Sequence, residues 1–138
     1  MPNIFRQNEL NYKESNNPHE HFNMLTATPR LFDDVDARHL MFDMRMLPSG
    51  QYSFPYHFHH NAEELFVILS GTATLRTPNG KQKVSSGDIL FFEMGESGAH
   101  QLYNHGTESC VYLDIRTNAG FDVSEYPDSG KVNIIPKR

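Results

Sequence analysis

The segment HFHHNAEELFVILSG, running from His57 to Gly71, decides how the rest of the chain is read. His57 and His59 are alternate residues, and on a β-strand alternate side chains point to one face, so two imidazoles can be presented to one point. Beyond them, Leu65 to Leu69 is apolar on both faces, with Phe66 and Ile68 on one side and Leu65, Val67 and Leu69 on the other. A strand with one wet face alternates apolar with polar residues, so both faces of this one must be covered. A barrel interior accounts for one face. An N-terminal arm or a second subunit is expected over the other, and a homodimer is expected on that ground.

Outward from this segment, short runs of β-branched, aromatic and other large apolar residues recur, separated by Gly, Pro, Asn, Asp and Ser, as in an all-β sandwich or barrel. The expected strands are Arg38 to Leu47, Tyr52 to His59, Glu64 to Leu69, Thr72 to Thr77, Gln82 to Val84, Ile89 to Glu93, His100 to Tyr103 and Cys110 to Arg116. Thr77-Pro78-Asn79-Gly80 has hairpin chemistry, the Asn-Gly pair supplying positive φ. No long helical periodicity intervenes. Residues 1–37 are polar and rich in asparagine and read as a partly extended arm. Residues 38–117 read as the barrel, and residues 118–138 as a C-terminal segment with a late strand packed on it.

The bounds agree with one small domain. A chain of 138 residues can bury roughly two-thirds of its unfolded surface around a single core. A formal charge of −5 without a Lys or Arg cluster argues against a nucleic-acid groove or an anionic membrane surface, both of which need a basic face. Small polar or anionic ligands remain open where local charge is positive. Cys110 is the single cysteine, so no internal disulfide and no thiolate zinc cluster is expected. No window approaches the ~20 apolar residues of a membrane span, and a cytoplasmic protein is expected.

Glu64 and His100 complete a candidate metal site with His57 and His59. A His-x-His pair alone carries little weight, because His19 and His21 form another one in Pro18-His19-Glu20-His21. That pair lies in the polar arm with no downstream ligand at matching spacing and reads as a solvated segment. The set around His57 differs by its company.

That company resembles the cupins in their small, single-domain conserved-barrel form, over Gly50 to Asn104. Gly50, His57, His59, Glu64 and Gly71 fill the roles of the first cupin motif, and Gly87, Gly95, His100 and Asn104 those of the second. Six residues separate Gly50 from His57, one more than usual. Glu93 stands where proline is usual, and four residues rather than two separate Gly95 from His100. The resemblance implies a double-stranded β-helix, or jelly-roll barrel, with an extended N-terminal arm.

Three neutral imidazoles and a carboxylate suit one divalent first-row ion (Fe, Mn, Ni, Co, Cu or Zn), with coordination positions left open for water or substrate. Each ligating imidazole is expected to donate its other N–H to a carboxylate, carbonyl or water. Strand parity places Phe66 and Ile68 inward with Glu64, and Leu102 inward with His100. On the strand Cys110 to Arg116, the apolar face of Val111, Leu113 and Ile115 is expected to point to the core; reverse parity would put Cys110 and Tyr112 on the cavity. Asp43 and Arg45 are expected to face solvent. His60, Glu63 and His105 are read as exposed, Glu93 and Glu96 as a solvated loop, and Cys110 as a buried, inert thiol. There is no nucleophile elbow, phosphate-cradling glycine loop or dinucleotide fingerprint. The resemblance implies a metalloenzyme acting on a small polar molecule, of dioxygenase, isomerase, epimerase or lyase type. The alternative is a non-catalytic protein that binds or senses a sugar or carboxylate in the same pocket.

Overall fold

Twelve short strands and three single turns of 3-10 helix make up a computed structural model of the chain, which describes residues 2–14, 21–118 and 120–136. The strands are β1 (Asn11–Lys13), β2 (Leu25–Thr28), β3 (Leu40–Leu47), β4 (Phe58–His59), β5 (Glu64–Ser70), β6 (Thr72–Thr77), β7 (Gly80–Ser85), β8 (Ile89–Phe92), β9 (Gln101–Tyr103), β10 (Cys110–Thr117), β11 (Asp122–Tyr126) and β12 (Lys131–Ile135). They form a six-stranded sheet in the order β1-β2-β3-β10-β5-β8 and two three-stranded sheets, β12-β11-β4 and β7-β6-β9. All pairings are antiparallel. The sheets enclose the double-stranded β-helix expected of the sequence.

Two turns have a readable cause. Thr77 and Gly80 pair across the β6–β7 hairpin, and Gly80 takes φ 112°, the positive φ that Asn-Gly was expected to provide. Gly71 links β5 to β6 at φ 80°, where a Cβ would stand 2.5 Å from the Ser109 carbonyl oxygen. Only glycine suits both demands. Pro55, which has no N–H for a ladder, lies within the expected strand Tyr52 to His59. That stretch is reduced to β4 and two isolated bridges, Tyr52 with Tyr103 and His57 with His100.

The interior has two clusters. Inside the barrel, Leu47, Ile68, Ala73, Leu102, Cys110 and Tyr112 are almost wholly buried. On the outer face of the six-stranded sheet, Met44 and Val111 pack with Ala27 and Leu31, and Phe5, Leu10, Tyr12, Leu69 and Leu113 lean on them. The first turn and strands of the chain are thus part of a sheet and its cover, with Tyr12 pairing Ala27 and Leu25 pairing Met46.

This cover reverses two expectations. On β10, Cys110, Tyr112 and Asp114 point inward and are buried, whereas Val111 and Leu113 face the outer cluster. Asp43 is likewise buried, only 2% exposed, and Arg45 lines an internal cavity. Periodicity reports only which residues need covering, and the N-terminal segment supplies a second apolar layer outside the sheet. The charged residues turn inward because they find partners there: Arg30 Nε pairs Asp43 Oδ2 at 2.5 Å, and Arg45 Nη2 lies 3.2 Å from Asp114 Oδ2. Among the described residues no helix is long and apolar enough to cross a membrane.

Candidate metal centre

Three short elements deliver the imidazoles. β4 carries His59, the bridge to its N-terminal side carries His57, and His100 pairs with His57 through reciprocal backbone hydrogen bonds, His100 N–H to His57 O at 2.9 Å and His57 N–H to His100 O at 3.3 Å. Glu64 opens β5 beside them. All four side chains are buried. One ligand-type atom from each of His57, His59 and Glu64 lies within 4.8 Å of the other two. His100 Nε2 is 3.0 Å from Glu64 Oε1, and His59 Nε2 is 3.6 Å from it.

The other nitrogen of each ring settles which tautomer is present. His57 Nδ1 lies 2.8 Å from Pro55 O, and His100 Nδ1 lies 2.8 Å from Gly98 O. A carbonyl can only accept, so each Nδ1 carries a hydrogen, and Nε2 is the atom that each ring turns toward the cluster. His59 Nδ1 is 2.6 Å from Asp122 Oδ2 on β11, with Ser124 Oγ at 3.2 Å. These are the orienting contacts that metal-bound histidines make. His100 Nε2 and Glu64 Oε1 are buried without a hydrogen bond of acceptable direction, although only 3.0 Å apart. Orphaned polar atoms are rare in protein interiors. A cation between them would satisfy both, and the donor set of imidazole nitrogen and carboxylate oxygen fits a divalent first-row ion.

Electrostatics favour the same state. Burial, reinforced by the charge of His100, pushes the His57 imidazole down to about 4, and burial also lowers His59. Both rings are therefore neutral at pH 7, as ligation requires. Burial alone would raise the Glu64 carboxyl, but His100, Asp114 and His59 outweigh it and hold Glu64 well below the usual carboxylate range. Asp114 goes the other way: burial and the neighbouring charge of Glu64 push its carboxyl well above its ordinary value, against the pull of Arg45. Of two adjacent acids, one stays ionised and the other is driven toward its neutral form.

The cluster opens on a cavity of about 190 Å³ lined by Arg45, Phe54, Phe66, Asp114, Arg116 and Tyr126 among others. Aromatic rings flank the imidazoles, Tyr126 from the cavity wall and Phe92 from behind it. Phe92 stacks on His100 at 3.7 Å between centroids and Tyr126 on His57 at 5.5 Å.

Glu64, Phe66 and Ile68 share the inward face, as do His100 and Leu102. His60 is exposed and pairs with Glu125 at 3.1 Å. Glu63, Glu93, Glu96 and His105 are exposed too, and His105 Nδ1 sits 2.6 Å from Thr74 Oγ1. Burial raises the Cys110 thiol to about 11, as an inert thiol requires. Asn104 belongs to the frame: its Nδ2 donates to Leu47 O and Glu108 O while its Oδ1 accepts from Gly106 N–H. His19 lies outside the described residues.

Asp122, Asp114, Arg45 and Arg116 were not singled out for the site. For Asp114 and Arg116 a signal existed, the polar parity of Cys110, Tyr112, Asp114 and Arg116. Asp122 had none, since it meets His59 only because β11 pairs with β4.

Comparison with known proteins adds a family and a set of folds. The Cupin domain family matches residues 44–116, more than half of the chain. A provisionally named sugar phosphate isomerase from Acidithiobacillus ferrooxidans is 31% identical, with a TM-score of 0.71 over 81% of this chain and 76% of that one. A sugar phosphate isomerase of the cupin superfamily from Silicibacter pomeroyi gives a TM-score of 0.79 at 19% identity, covering 98% and 93%. The polyketide cyclase RemF from Streptomyces resistomycificus gives 0.67 at 16%, covering 99% and 85%. These last two share the fold. No curated protein matches this chain.

Proposed function

This chain belongs to the cupin family, and on that premise we propose that it is a metal-dependent enzyme acting on a small polar molecule, with His57, His59, Glu64 and His100 as ligands. The observation that carries the reading is the set of three imidazoles whose Nδ1 atoms are all occupied, two of them by carbonyls, beside a buried carboxylate oxygen with no hydrogen-bond donor. Structural histidines have no need to be held this way at one point.

Held by His57, His59, Glu64 and His100, a divalent ion would supply Lewis-acid chemistry at a substrate oxygen, or O2 chemistry were it iron. The chain's own residues do the rest. Pro55 O, Gly98 O and Asp122 fix the imidazole orientations. Phe66, Phe92 and Tyr126 limit water around the rings. Asp114 favours its neutral form beside Glu64 and can hold a proton on its carboxyl at the cavity wall. The name borne by the relative at 31% identity favours an isomerase over the dioxygenase and lyase types.

The test is turnover of small hydroxy-carbonyl compounds by metal-loaded and metal-stripped protein. Turnover that requires the metal and disappears in His100→Ala, with the barrel still folded, supports the enzyme. Equal turnover without metal sinks it. A tightly held ligand recovered chemically unaltered after long incubation supports the non-catalytic alternative.

The reading includes self-association. The outer face of β8 exposes Ile89 and Phe91 beside half-buried Val67 and Leu65 of β5, an apolar strip of the kind that marks interaction sites. Light scattering at micromolar concentration is expected to give the mass of a dimer. A monomer mass would reject it.

A further inference from the structure

Two guanidinium groups line the cavity at the metal centre, and their engagement differs. Arg45 is held by an acidic partner and a hydroxyl. Its Nε and Nη2 both lie 3.2 Å from Asp114 Oδ2, its Nη1 donates to Thr26 Oγ1 at 2.7 Å, and the group stands 5.6 Å over the Phe54 ring. Arg116 sits directly across from Glu64 in the β10–β5 pair, with its side chain on the same inward face. Among the described residues it forms no ion pair, and its one hydrogen bond runs from Nη2 to Met41 Sδ at 3.3 Å. A thioether is a weak acceptor, and a guanidinium has five donors and keeps its charge at any ordinary pH. A half-buried cation of this kind, placed in a cavity with most of its donors unspent, is a receptor for an anion.

Charge bookkeeping leads to the same place. The cavity wall carries two guanidinium groups, Arg45 and Arg116, and two carboxyl groups, Glu64 and Asp114. Even with both carboxyls ionised they balance, so a divalent ion would leave the cavity positive inside a chain whose formal charge is −5. Such a local reversal draws small anions in and repels cations. The volume of about 190 Å³ is below the roughly 300–1,000 Å³ of pockets for drug-sized ligands, so the anion is small. The planar guanidinium fork suits a carboxylate or a phosphate, either of which it can hold through two parallel hydrogen bonds.

We propose that Arg116 is the anion-binding and specificity-determining residue of this cavity. Its ligand is a small organic anion that sets a carboxylate or phosphate group on the Arg116 guanidinium while an oxygen at its other end reaches the His57, His59 and Glu64 cluster. The second anchor rests on the metal reading above; the role of Arg116 does not.

The test is calorimetric titration of the full chain with malonate and with inorganic phosphate at low salt, in the metal-stripped and the Mn(II)-loaded form. Wild type, Arg116→Gln and Arg116→Lys are compared, and metal content and far-UV circular dichroism are recorded for each. Loss of a charge-assisted hydrogen-bonded contact is expected to weaken anion binding about 10–100-fold in Arg116→Gln. Arg116→Lys, which keeps a point charge but loses the fork, is expected to fall between. Metal content should match wild type throughout. The arm that binds more tightly identifies the anion as carboxylate or phosphate. If Arg116→Gln does not fold, a tighter anion affinity in wild type than in Arg116→Lys carries the proposal and equal affinity overturns it. Anion binding equal in all three proteins, or absent from folded wild type in both forms, also overturns it. Failure to take up Mn(II) while anion binding still depends on Arg116 would sink the metal reading alone.

Discussion

The two ends of the barrel interior are built from the same three strands yet are made of opposite materials. Going along the inward face of β3, Leu47 gives way to Arg45 and then Asp43. On β5, Ile68 and Phe66 give way to Glu64, and on β10, Cys110 and Tyr112 give way to Asp114 and Arg116. The register aligns these gradients, since Cys110 faces Leu47, Tyr112 faces Arg45, Asp114 faces Asp43, and Arg116 faces Glu64. One end is a dry core that holds the sheets together. The other gathers charges at a cost in desolvation that only partners, or a ligand, can offset. Stability and function therefore occupy different ends and should respond to different substitutions.

The sharpest break in that division is expected at the dry end. Leu102 has no exposed surface, and Leu102→Ala should lower unfolding free energy by about 2–5 kcal/mol, measured by denaturant titration, while metal affinity in the folded fraction stays unchanged.

Next comes the pH response of the polar end. Burial holds the His57 imidazole at about 4 against 6.5 in the unfolded chain. The unfolded state binds the extra proton between these values, so the stability that His57 contributes is present above pH 6.5 and lost as pH falls toward 4. The loss in metal-free protein should approach about 3 kcal/mol, read from thermal or urea unfolding at stepped pH. A flat profile would show that His57 is not buried as neutral imidazole.

A smaller effect separates the two ends from the opposite side. Asp122→Asn removes the charge that accepts from His59 Nδ1 and is expected to weaken metal binding about 10–100-fold, with a lesser change in unfolding free energy. Smallest is His60→Ala. The His60–Glu125 pair is exposed, 47% and 43% by side chain, and should be worth less than about 1 kcal/mol with metal affinity unaltered. A large loss of metal there would place the centre on the wrong face of β4.

Much of this division was legible beforehand, and the part that was not has a physical cause. The run Leu65 to Leu69 pointed to an inward face, taken by Phe66 and Ile68, and to a cover on the other, which among the described residues reaches only Leu69, and the spacing of His57, His59, Glu64 and His100 pointed to one site. Inward parity on β3 and β10 was not legible, because Val111, Leu113 and Met44 look equally satisfied by a core or by a second layer. That layer is supplied by Phe5, Leu10 and Tyr12, short apolar patches in a polar stretch with no period of their own. β1 and β2 were missed for that reason. Asp122 could not be assigned either, since its partner lies 63 residues away in the chain.

The central claim is that His57, His59, Glu64 and His100 hold one metal ion, and stoichiometry tests it most directly. Elemental analysis of protein purified without chelator or affinity metal, and again after dialysis against each first-row divalent ion, is expected to give one tightly held equivalent per chain. In His59→Ala that equivalent should vanish. Folded wild-type protein that retains no ion from any of these dialyses, or a His59→Ala variant that retains as much as wild type, would contradict the account.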